Sequence, residues 1–199
     1  MRPPILPCLA AATLSLAVAG CRKGGSDLMP LNVGHSWNYT IRSVRGLYTY
    51  VSPITVSREV SVANTQGVEL KSALGPSRMA WAGDTLLVER LAGTQFIPPL
   101  PLVYRTDETH ERHWKGTVVF VDNTSPAWAI QSQSPDDDLV YGGKKIHCIR
   151  STIQFHTASR DIELETWFSA GLGIVQQEQR TDGILLVKLQ QIAQKPSSD

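Results

Sequence analysis

The sequence predicts a mainly β protein: a single antiparallel sheet domain, half-barrel or sandwich, with little helix, following a cleaved signal peptide. Three observations carry this. Apolar and polar residues alternate at period two through most of the chain beyond residue 30. Gly, Pro, Asn and Asp interrupt the alternation at short intervals. No stretch has the period of a long amphipathic helix.

The elements follow in order. Trp37, Tyr39 and Ile41 alternate with Ser36, Asn38 and Thr40, the pattern of a half-buried strand. Tyr48 and Tyr50 continue in a second run, and Asn64-Thr65-Gln66-Gly67 has the turn chemistry to close a hairpin onto Val68–Leu74. Further strands are expected over Arg78–Ala82, Thr85–Leu91, Trp114–Asp122 and Ala127–Gln133. Only Asp107–Trp114 has a pattern that could make a short helix. Lys144–His156 is one long strand, with His147, Ile149, Ser151, Ile153 and Phe155 on one side. Asp161–Ser169 places Ile162, Leu164, Thr166 and Phe168 together. Gly171-Leu172-Gly173 turns the chain into Ile174–Arg180, and Asp182-Gly183 is a type I′ hairpin signal before Ile184–Ile192.

Three runs are apolar on both faces: Leu86-Leu87-Val88, Val118-Val119-Phe120-Val121 and Ile184-Leu185-Leu186-Val187. A sheet with one face in water alternates instead, so both faces there must be covered, by a second sheet or by an apolar ligand in a curved sheet. A filled core is the commoner solution.

The N-terminus has the three parts of a secretory signal. Arg2 supplies a charge, Ile5–Val18 is mostly apolar but too short to span a bilayer, and Ala19-Gly20 offers small residues for cleavage. Val18-Ala19-Gly20-Cys21 resembles the lipobox of bacterial lipoproteins. The resemblance implies that Cys21 receives a diacylglyceryl thioether, that the chain is cut before it, and that the new amine is acylated, commonly with palmitate. Two or more chains make such anchoring stable. Arg22 stands where an Asp would resemble an inner-membrane retention signal, which favours the periplasmic face of the outer membrane in a Gram-negative cell. Residues 21–29 are then the lipidated cysteine and a flexible tether, 30–192 the β domain and 193–199 a disordered tail.

Removing residues 1–20 leaves 179 residues, the size of one domain. The 19 Lys+Arg and 18 Asp+Glu of the chain nearly balance, without the basic excess of a nucleic-acid binder. With Cys8 removed and Cys21 lipidated, Cys148 is left without a disulfide partner, and burial in Lys145–Ile149 is its simplest role.

Leu28–Gly34 leading into Ser36-Trp37-Asn38-Tyr39, and the late segment Thr166–Val175, resemble uncharacterised bacterial envelope lipoproteins. Their curved antiparallel sheets are similar to the half-barrels of lipoprotein carriers. The helices that plug those half-barrels have no counterpart in this sequence.

Catalytic motifs are sparse. Neither a Gly-x-Ser-x-Gly elbow, a phosphate loop nor a His-Glu-x-x-His helix occurs. His110 and His113, beside Asp107, Glu108 and Glu111, could gather metal ligands, but a solvated loop is the simpler account. Asp136-Asp137-Asp138 lacks the rest of a calcium loop and reads as a charged turn. The expectation is a non-catalytic, membrane-anchored envelope lipoprotein without cofactor or metal, acting as a binding or assembly component. Its partners would be membrane lipid through Cys21 and an envelope protein or apolar ligand, with no nucleic acid. A carrier or sensor of lipid-like ligands is second, and a metal-dependent enzyme on the His110/His113 loop third. An apolar cavity open to solvent would favour the carrier; a filled core would favour the interaction module.

Overall fold

The computed structural model describes residues 28–43, 48–106, 109–121 and 123–193. Among the described residues all regular structure is β, in twelve strands: β1 (Ser36–Ser43), β2 (Thr49–Val62), β3 (Thr65–Lys71), β4 (Ser77–Ala82), β5 (Thr85–Leu91), β6 (Thr94–Tyr104), β7 (His110–Phe120), β8 (Asn123–Tyr141), β9 (Lys144–Thr157), β10 (Asp161–Ser169), β11 (Gly173–Thr181) and β12 (Ile184–Gln191). Each strand pairs antiparallel with its sequence neighbours, and β1 pairs with β12, so the meander closes into a barrel. Full closure leaves the sheet without its two outer edges.

The alternation read from the sequence points inward as expected. Trp37, Tyr39 and Ile41 of β1 are buried, as are Leu164, Thr166 and Phe168 of β10 and Ile149, Ser151, Ile153 and Phe155 of β9. His147, on the same side of β9 by parity, is instead exposed toward Asp136 and Asp138. Asp182 and Gly183 have φ of 50° and 78°, the left-handed pair that a type I′ turn requires.

Four local readings are corrected. The β2–β3 turn is Ala63-Asn64, both with positive φ, and Gly67 lies inside β3 rather than in the turn. The segment allowed a short helix is strand β7, paired with β8 from His110↔Gln133 to Phe120↔Asn123. Eight residues cannot hold a helix by themselves, whereas β8 offers a ready ladder. Asp136–Asp138 is part of β8 at a bulge between Ser134 and Asp137, not a turn. Finally, Leu28 and Met29, assigned to the tether, are buried in the core at the start of the packed chain.

One departure from a regular barrel shapes the interior. β6 pairs with β7 only over Gln95–Ile97, yet remains paired with β5 to Tyr104. Pro98, Pro99 and Pro101 have no N–H to donate, so the second half of β6 leaves β7. It packs inward, where Leu100, Leu102, Val103 and Tyr104 are all buried. Side chains replace the lost ladder. Gln133 Nε2 donates to Tyr104 O at 3.0 Å and to Thr106 O at 3.1 Å, while its Oε1 accepts from Tyr104 N–H at 2.9 Å. Ser151 Oγ donates to Leu102 O, and Trp114 Nε1 to Pro98 O at 3.1 Å.

On the outside, Cys148, Trp167 and Val175 form a second, smaller cluster under Leu139, Tyr141 and Ile146 of the β8–β9 hairpin. Trp167 Nε1 donates to Asp137 Oδ2 at 3.0 Å. Burial pushes the Cys148 thiol up to about 11, with Asp137 and Asp138 adding to the rise, so it stays protonated and inert at neutral pH.

Candidate functional site

The two ends of the barrel differ. The N-terminal segment enters at the end where β1 begins. There Trp81 Nε1 donates to Met29 O at 3.1 Å, and Leu28 and Met29 fill the interior. The opposite end, marked by the turns Ala92-Gly93 and Asp182-Gly183, has no such plug among the described residues and opens into a cavity of about 220 Å³.

The cavity wall is built from the inward faces of strands on both sides of the barrel. Leu91, Phe96, Val118, Phe155, Leu164 and Leu189 supply most of its surface. Phe96 and Phe155 stack with centroids 5.6 Å apart, and Trp114 stands edge-on to both at 6.2 and 6.1 Å, fixing the aromatic side of the wall. The polar lining is uncharged: Thr94, Thr157, Gln177 and Gln179. Gln177 Nε2 is committed to Thr166 Oγ1 at 3.0 Å. A cavity of about 150 Å³ with apolar walls stays dry and takes benzene, so this one has room for an apolar guest.

A second cavity of about 40 Å³ adjoins it, lined by Met29, Tyr39, Leu70 and Met79 and, beside the β3–β4 turn, by Ser72 and Ser77. Leu74, Leu91, Ala92, Gln177 and Leu189 line both spaces and stand between them. Tyr39 Oη donates to Ile174 O at 2.6 Å, and burial raises its pKa well above the ordinary phenol value, so it stays neutral. The lining of both spaces offers no charged group among the described residues.

The apolar runs divide at this mouth. Leu86 and Val88 are buried on the inward face, while Leu87 on the other face is only half-buried. Phe120 is 58 % exposed although it lines the cavity, and Val121 and Ile184 are exposed beside the turns. Both-face coverage therefore fails at the open rim, where no strand or plug among the described residues lies above these side chains.

Cys21 lies outside the described residues, as do Asp107 and Glu108. His113 is exposed, 3.7 Å from Glu111. Positions 110 and 113 lie on strand β7 and not on a helix turn. Among the described residues no group of three or more His, Cys, Asp or Glu side chains could hold a metal ion. Sequence reasoning missed Met29 and the glutamines. Gln131 and Gln133 are in phase with Ala127 and Ala129 on the inward face of β8, a signal that polar groups point into the barrel.

No protein-family model and no curated protein matches the sequence. Solved structures do. One, from Parabacteroides distasonis and described as a "putative lipoprotein", superposes with a TM-score of 0.52 at 11% identity, covering 82% of this chain and 96% of that one. Another, from Bacteroides fragilis and described as a "putative exported protein with YmcC-like fold", gives 0.52 at 9% identity, covering 84% and 98%. The likeness is one of fold. It extends over nearly the whole of both neighbours, so the mainly β, antiparallel architecture is that of a complete domain seen in other proteins.

Proposed function

We propose that this chain is an envelope lipoprotein, anchored through Cys21, that binds an apolar ligand in the open end of its barrel without catalysing a reaction. The observation that carries the ligand part is the apolar, uncharged cavity that opens between the turns of one rim. It favours the carrier or sensor over an interaction module with a filled core. Each buried methylene of a guest contributes about 0.8 kcal/mol, so a short chain suffices for measurable affinity. The lipobox-like Val18-Ala19-Gly20-Cys21 supports the anchor, and the neighbours described as lipoprotein and exported protein are consistent with an envelope location.

Two experiments test the two halves. Cys21→Ser should move the protein from the membrane fraction to soluble or unprocessed material, and mass spectrometry finding Cys21 unmodified in the native protein would refute the anchor. For the cavity, an environment-sensitive apolar dye should bind the wild type saturably. Phe120→Ala should change dye affinity while costing less than about 1 kcal/mol in denaturant unfolding, because the ring is half in water already. A loss of about 3–5 kcal/mol, as for a filled core, with no dye binding would restore the interaction module.

A further inference from the structure

We infer that Met29 sets the length of the chain this barrel accepts: the ligand is a single unbranched apolar tail that enters through the open rim and ends against the Met29 side chain. The inference rests on the proposed cavity and deepens it. The two cavities adjoin at the residues that line both, chiefly Leu91 and Leu189, and Met29 lines only the smaller one. A space of about 40 Å³ beside one of about 220 Å³ has room for the methyl end of a single chain and not for a compact or branched body. Neither space is lined by a charged side chain among the described residues, so the interior accepts the tail and leaves any polar end at the rim, near Thr94, Thr157 and Gln179.

Met29 lines the smaller space beside Tyr39 and Ile174, and that residue is held in place rather than resting there. Its carbonyl accepts from Trp81 Nε1 at 3.1 Å, and its side chain is buried. Its sulfur occupies room left by the absent side chain of Gly173, where a Cβ would stand 3.0 Å from Sδ. Met29 is thus a fixed floor, contributed by the segment just before the first strand and not by the barrel wall.

The test is displacement of the apolar dye from the full chain carrying Cys21→Ser, so that no acyl group of its own competes. The competitors are straight-chain primary alcohols from octanol to hexadecanol. Affinity should rise about fourfold per added methylene up to a limiting length and then stop rising. Met29→Ala should lengthen that limit by two or more methylenes. Leu91→Trp, placed between the two spaces, should shorten it, and keeps the test decisive if Met29→Ala does not unfold cooperatively. A series that rises without limit, or a limit unmoved in the variants that fold, overturns the role of Met29 and leaves the cavity reading intact. Failure of the wild type to bind any alcohol or the dye overturns both.

Discussion

Gln133→Leu is expected to cost about 2–3 kcal/mol, since removing a partner from a buried backbone group costs about 1–3 kcal/mol and the Tyr104 N–H loses its acceptor inside the barrel. The Gln133 amide makes three hydrogen bonds to the main chain of β6 and the residues after it, at 2.9, 3.0 and 3.1 Å. Leucine fills a similar volume, so the loss is one of hydrogen bonding and not of packing. The Tyr104 N–H would then face the barrel with no acceptor from β7, which has already parted from β6 after Ile97, while the Tyr104 carbonyl keeps the Thr106 N–H at 3.0 Å. Urea unfolding of the wild type and variant reads the difference. A loss below about 1 kcal/mol, the size of an ordinary exposed hydrogen bond, would mean that packing of Leu100, Leu102 and Val103 alone holds the inward half of β6.

Gly116→Ala is the second large effect. A Cβ at this position would lie 2.3 Å from the Ile97 carbonyl oxygen, 2.6 Å from Trp114 Cζ2 and 2.9 Å from Pro98 Cδ. The first of these is backbone and the others belong to rings held by packing, so none can give way cheaply. Overpacking of this kind costs about 3 kcal/mol at the upper end of its usual range. For a domain of this size that is a fall in Tm of about 6–12 °C, measurable by calorimetry or circular dichroism. An unchanged Tm would require β6 and β7 to be farther apart where they separate than the structure places them. The two substitutions probe one feature from both sides, the side chains that hold β6 inward and the space that lets it leave β7.

Local chemistry was legible wherever neighbouring residues decide the outcome. Asp182-Gly183 makes its turn because two left-handed residues in succession suit Asp and Gly. Ile162, Leu164, Thr166 and Phe168 share a face because side chains alternate along a strand, whatever the sheet does elsewhere. The β7 segment shows the limit: its short helical pattern yielded to a partner strand that no local window contains. The cavity was half legible. The runs around Val118–Val121 and Ile184–Val187 showed that something unusual covers both faces, but not that the cover is missing at the rim.

A mainly β domain, the period-two faces of its strands, the late hairpin and a lipobox-like N-terminus are readable from the amino-acid order alone. Those properties depend on residues within a few positions of one another. That β1 meets β12 to close the barrel, that Gln133 and Ser151 stand in for a missing ladder, and that Met29 lines a cavity inside the barrel came from the folded chain alone. Each of these joins residues far apart in the chain. Which of them meet is set by the closure of the whole sheet, because an inward face acquires its neighbours only when the opposite wall arrives.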